Sequence, residues 1–180
     1  MFHRFPNQIQ LDTMDCGPTC LSMVAQFYGR KYSLQYLRER CHITREGVSL
    51  LGISDAAESI GFRTTGVKIT WKQLLEEMPL PCIVHWNQRH FIVVYGIARR
   101  RKSIFVKVAD PASGLLEYRA EDFVKSWLQS EGKSEGIALI LEPTPQFYHE
   151  ETEEKPRYGF GYIFQYLRPY RSYILQILLA

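Results

Sequence analysis

The sequence predicts an α+β fold, with an N-terminal helical part and a C-terminal antiparallel sheet. Three observations carry this reading. Helical apolar spacing with start and stop signals fills residues 16–61, strand-like apolar runs dominate residues 62–142, and most of those runs are joined by connections of hairpin length. A 46% hydrophobic share with 13% aromatics in 180 residues supplies a core for one domain and excludes a disordered chain.

The elements follow in order. Cys20, Leu21, Met23, Val24, Phe27 and Tyr28 form one helical stripe, so a helix is expected over residues 16–28. Asp15 is its expected cap, Pro18 is tolerated in its first turn, and Gly29 supplies the left-handed stop. A second helix is expected after Ser33, ending near Cys41, with Leu34, Leu37 and Cys41 inward, and Ser49 caps a third that ends at Gly61. FRTTGVKI, residues 62–69, reads as a strand. Thr70 with Gln73 three residues on is a capping box for the helix WKQLLEEM, which Pro79 and Pro81 end. Strands then follow as CIVHW, HFIVVYGIA, SIFVKVAD and LLEYRA, and GIALILE comes after a short helix near EDFVKSWL. The connections NQR, RRRK and PASG are short enough to make the sheet mostly antiparallel.

These elements define a domain over residues 1–143. Residues 144–157 are proline-bearing and acidic, the composition of an exposed linker. Residues 158–180 are rich in Tyr, Phe, Ile and Leu, with Arg168 and Arg171 in the middle and an apolar run from Tyr173. Two readings compete there: an amphipathic helix packed on the domain, and an interfacial helix leading into a first transmembrane segment that is cut short. Aromatics and arginines ahead of an apolar run favour the second.

The formal charge of +3 is mild and the basic residues are scattered apart from Arg99 to Lys102, which reads as a solvated hairpin turn, so no nucleic-acid partner is expected. Four cysteines are too few for a disulfide scaffold, and the opening MFHRFPNQIQ lacks the apolar region of a signal peptide; the cysteines are read as thiols in a reducing compartment. Cys16, Cys20, Cys41 and His42 do not match a structural zinc spacing, and no metal is expected.

Cys16 is the residue out of place. In QLDTMDCGPTC, residues 10–20, it stands before Gly17 and Pro18 where the helix should start, and a helix N-terminus favours a thiolate, the reactive form of cysteine. Cys20, Cys41 and Cys82 suit core positions. A nucleophilic cysteine needs a base, and His90, opening the strand after NQR, is the best placed, with His85 as runner-up. Asp110 ends the next strand, so a hairpin pairing brings it towards His90, although alone it would read as a turn-forming Asp-Pro. Gln10, six residues before Cys16, can offer its amide to an oxyanion beside the backbone N–H of the nucleophile.

Gln10 with DCGPTCL, then HFIVV, then ADP, in this order over residues 8–142, resemble the peptidase C39 domain of peptidase-containing ABC transporters. The resemblance implies a papain-like cysteine protease fold, with Cys16 as nucleophile, His90 as general base and acid, Asp110 orienting the imidazole and Gln10 in the oxyanion hole. It also implies an endopeptidase that removes double-glycine leader peptides from bacteriocin-like or other secreted peptide precursors before export. The implied partners are the leader peptide and the transmembrane and nucleotide-binding domains of the same transporter, a homodimer when whole. The implied location is the bacterial cytoplasmic membrane, with the peptidase on the cytosolic side. No cofactor is expected for the peptidase. ATP and Mg belong to a downstream nucleotide-binding domain, since no Walker-type phosphate loop occurs here. Two alternatives remain: a non-catalytic leader-docking domain of an exporter, and a different thiol acyltransferase or amidase on the same scaffold.

Overall fold

The computed structural model describes residues 4–44, 47–101, 103–128 and 134–149. An unbroken run of ten residues, 16–25, is buried in the first helix, α1 (Cys16–Phe27), which makes it the centre of the helical layer and not a surface helix with one apolar stripe. A short 3₁₀ turn, Thr13–Asp15, leads into it and is capped by Asp12, whose Oδ1 accepts from the Met14 N–H at 3.0 Å. Gly29, at φ +95°, ends the α1 region as expected. Then come α2 (Leu34–Arg40) and α3 (Leu50–Ser59), capped by Ser33 and Ser49, whose hydroxyls accept from the Tyr36 and Gly52 N–H groups.

The strands are β1 (Phe62–Thr70), β2 (Cys82–Trp86), β3 (His90–Arg100), β4 (Ser103–Asp110), β5 (Gly114–Arg119) and β6 (Glu135–Pro143). They form one sheet in the order β1-β6-β2-β3-β4-β5, with every neighbouring pair antiparallel. Between them lie α4 (Trp71–Glu76), which opens with the expected Thr70–Gln73 capping box, and α5 (Ala120–Leu128).

Period-two alternation divides the sheet between two cores. Ile83, Phe91, Val93, Ala109, Leu139 and Leu141 pack with α1, α2 and α3. Cys82, Val84, Ile92, Val94, Val106 and Val108 pack instead with Leu74 of α4 and Phe123 and Trp127 of α5. Burial on both faces explains why β2 and β3 read as almost continuous apolar runs in the sequence.

Two expectations are corrected. Asp15 occupies the N-cap position of α1 but its side chain accepts no capping hydrogen bond; the carboxylate turns to Arg38 of α2, with Nε and Oδ1 3.0 Å apart. The stretch 144–157, read as exposed linker, begins instead with a packed helical turn, α6 (Pro145–His149). Phe147 is fully buried there, 4.4 Å from the Phe62 ring by centroid, and Arg30 Nη1 donates to its carbonyl. The Gly61 carbonyl accepts from both the N–H and the hydroxyl of Thr144, and a Cβ on Gly61 would lie 2.4 Å from the Phe147 nitrogen, so only glycine lets α6 approach. An adjacent aromatic pair, Phe147 and Tyr148, within a polar run carries no helical periodicity, so the local pattern does not mark Phe147 as an anchor. Residues 150–157 of the expected linker and the membrane-directed tail over 158–180 lie outside the described residues.

Since Phe147 fills core volume, Phe147→Ala is expected to destabilise the domain by about 3–5 kcal/mol. Urea unfolding of the two proteins checks this, and a loss below about 1 kcal/mol would mean that α6 merely rests on the surface.

Candidate active site

The nucleophile candidate is positioned by burial. Cys16 is the first residue of α1 and is only 4% exposed. Gly17 beside it faces α3 so closely that a Cβ would lie 2.5 Å from Val48 Cγ1 and 2.8 Å from Ile53 Cδ1. Any larger residue would push the start of α1 away from its neighbours. One turn later the Cys20 Sγ–H donates to the Phe91 carbonyl at 3.3 Å, which ties α1 to the residue after His90.

His90 and Asp110 meet because β3 begins at the end of the sheet where β4 finishes. The Val93↔Ala109 pairing sets that register. His90 Nε2 lies 2.7 Å from Asp110 Oδ1, which also accepts from the Ala112 N–H at 2.8 Å. A carboxylate at Nε2 fixes the proton there in the neutral ring. Nδ1 is then the nitrogen available to Cys16, whose side chain is the other hydrogen-bond partner of His90. The Ser113 N–H also donates to the Asp110 carbonyl, so the Asp-Pro turn and the histidine contact coexist in one residue.

Gln10 is carried to the same corner by the lead-in segment. Its N–H donates to the Pro111 carbonyl at 2.9 Å, next to Asp110. Two residues back, Gln8 Oε1 accepts from the Ser22 hydroxyl of α1 at 2.8 Å. Phe5, stacked on Tyr95 at 4.5 Å, anchors the start of the segment. The Gln10 Oε1 is buried without a hydrogen-bond partner among the described residues, which leaves the amide uncommitted to other protein groups through that atom.

Thus all four residues singled out from the sequence stand on elements that meet at one end of the sheet, with Cys16, His90 and Asp110 linked by hydrogen bonds. His85 does not join them; it packs on the Phe91 ring, 5.0 Å between centroids. The sequence did not single out Gln8, Ser22 or Cys20 as positioning groups. Their contacts cross between segments, and only the helical spacing of Cys16 and Cys20 hinted that the second thiol lies one turn from the first.

Electrostatics separate the thiols. Burial pushes Cys20 well above the ordinary thiol range, helped by the charges of Cys16, Asp110 and Cys41. Burial also raises Cys41, with a contribution from Cys16, and Cys82, each to about 12. For His90, burial disfavours the charged ring, but hydrogen bonds and charge from Asp110 and Cys16 outweigh it and raise the imidazole to about 9. For Asp110, burial again opposes ionisation, while hydrogen bonds from His90, the Ala112 N–H and Ser113 hold the carboxyl below its usual value.

The chain is similar to known proteins over most of its length. The Peptidase C39 family model matches residues 4–145. A colicin V secretion/processing ATP-binding protein of Escherichia coli is 29% identical over 152 residues, covering 84% of this chain and 20% of its own length. A lactococcin transport/processing ATP-binding protein of Lactococcus lactis is 34% identical over 151 residues, covering 81% and 20%. The chain therefore spans about a fifth of the length of these curated relatives. Among solved structures, a double glycine motif protease from an AMS/PCAT transporter, in complex with the leader peptide, superposes with a TM-score of 0.69 at 31% identity, over 78% of this chain and 93% of that one. The peptidase domain of Streptococcus ComA, a bifunctional ABC transporter, gives 0.67 at 31% identity, over 78% and 100%. The fold is that of papain-like cysteine proteases.

Raising the His90 pKa links this site to stability. The contribution of the charged ring is fully present below pH 6.5, its ordinary value, and is lost as pH rises through about 9. The stability gap between the wild type and His90→Gln, measured by urea unfolding, is accordingly expected to narrow as pH is raised through that window. A gap that stays constant would contradict the pairing.

Proposed function

The chain belongs to the peptidase C39 family, and on that premise we propose that it is a cysteine endopeptidase that cuts double-glycine leader peptides from secreted peptide precursors, coupled to export by an ABC transporter. The observation that carries the reading is the hydrogen-bonded chain from Cys16 through His90 to Asp110. A domain used only to dock leaders would have no need of that chain.

In the proposed reaction the Cys16 thiolate attacks the carbonyl carbon of the second glycine, with the proton held on His90. The oxyanion is received by the Cys16 N–H and by the Gln10 side-chain amide. The His90 imidazolium gives its proton to the leaving amine, and the C–N bond breaks. A water molecule, deprotonated by His90, then attacks the thioester and releases the leader carboxylate and the thiol. Asp110 keeps the ring oriented and stabilises its charge while the proton is in transit. Glycines before the scissile bond suit a narrow cleft that side chains would block, and a leader helix lying on an apolar groove would supply affinity.

The same reading assigns the remaining partners. The 31% identical protease that was solved with a leader peptide supports the substrate class. The transport/processing ATP-binding relatives support attachment to the export and ATP-binding parts of a transporter; the same proposal places ATP and Mg in a nucleotide-binding domain outside this chain, pairs the whole transporter as a homodimer and sets the peptidase on the cytosolic side of the bacterial cytoplasmic membrane. The peptidase step itself is assigned no cofactor.

Incubating a synthetic double-glycine precursor with reductant and reading the products by mass spectrometry tests the proposal. Cys16→Ala is expected to abolish cleavage after the second glycine, and Gln10→Ala to lower kcat by about a hundredfold to a thousandfold. Full cleavage by Cys16→Ala, or binding of cognate leaders without turnover by the wild type, would overturn it.

A further inference from the structure

The four proposed catalytic groups leave unexplained the residue immediately before the nucleophile. The Asp15 side chain has no solvent exposure, and it stands where a carboxylate ordinarily caps the helix, yet it makes no capping bond. Among the described residues, neither of its oxygens receives a hydrogen bond. Its ion-pair partner among the described residues is Arg38, whose Nε approaches Oδ1 to 3.0 Å without the alignment of a hydrogen bond. Arg38 comes from α2, keeps its side chain 39% exposed, and also acts electrostatically on Asp12, the cap of the 3₁₀ turn.

A carboxylate buried without a countercharge is costly, and this one stands immediately before Cys16 at the start of α1. The groups that act on or with Cys16 from the surrounding elements are His90 of β3, Cys20 of α1 and Cys41 at the end of α2, with Asp110 of β4 behind the imidazole. Asp15 is paired with none of these. Its ion-pair partner comes from α2, which packs against α1.

We propose that Asp15 and Arg38 form a positioning pair for the peptidase: the guanidinium of α2 holds the buried carboxylate, and with it the turn that delivers Cys16 to His90. Neither residue is assigned contact with substrate. The effect on turnover rests on the peptidase reading, whereas the effect on the thiol does not.

The test measures the rate at which iodoacetamide alkylates Cys16, located by mass spectrometry, over a pH range of about 5 to 9. Cleavage of a double-glycine peptide is followed on the same preparations. Arg38→Gln is expected to slow alkylation at neutral pH about tenfold, to move its pH midpoint upward and to lower kcat by a similar factor with KM nearly unchanged. Arg38→Lys should recover most of the loss. Asp15→Asn combined with Arg38→Gln, which removes both charges, should react faster than Arg38→Gln alone. A pair that serves stability alone would lower the unfolding temperature without moving the alkylation midpoint.

Wild-type reactivity in a folded Arg38→Gln protein would overturn the proposal, as would a double variant no better than the single one. If Arg38→Gln fails to fold, the double variant carries the test: a folded, reactive double variant supports the pair, and an unfolded one overturns it. The expected alkylation pattern in a protein that cuts no leader would leave the pair standing and reject the peptidase reading. Normal cleavage with no alkylation effect would do the reverse.

Discussion

The burial of the first turn of α1 is the constraint on which the rest of the site depends. Cys16, Gly17, Pro18 and Thr19 are enclosed where most helices meet solvent. The enclosure is made from α3 at Gly17, from β3 through the Cys20–Phe91 hydrogen bond, and from the lead-in segment through Ser22 and Gln8. A thiol held this tightly has little freedom to leave the imidazole, so orientation is supplied by packing before any substrate arrives.

The sheet contributes rigidity of a different kind. Because both of its faces are buried, a slip of one residue in the β3–β4 register would move apolar side chains into the wrong core as well as parting His90 from Asp110. The geometry of the histidine–carboxylate pair is therefore protected by the hydrophobic division of the whole sheet. Its electrostatics follow from the same burial: desolvation alone would discharge His90, and only its two specific partners keep the charged ring favourable.

Charge enters the helical side more sparingly. Asp15 is enclosed, with its ion-pair partner on a neighbouring helix, while Arg30 is enclosed against Tyr32 and Phe147 and donates to a main-chain carbonyl. These two groups bracket α1, one just before the nucleophile and one just after the helix, where it reaches Phe147 of α6. Each fastens a local segment to the domain through a long-range contact and not through local helix propensity.

Much was legible in the sequence. The helix stripes, the Thr70–Gln73 capping box, the hairpin-length connections and the strand-like apolar runs depend on neighbours within a few residues, so they fixed the element order and the α+β layout. The same local signals placed Cys16 at a helix start and His90 and Asp110 at consecutive strand ends. Tertiary structure decided what those residues touch. It turned Asp15 from its expected cap towards Arg38, gave Cys20 a bond to the Phe91 carbonyl 71 positions away, and seated Phe147 in the core through Gly61. Local periodicity specifies which face of an element is buried; it cannot specify which distant group fills the space opposite, because that depends on how all the elements pack at once.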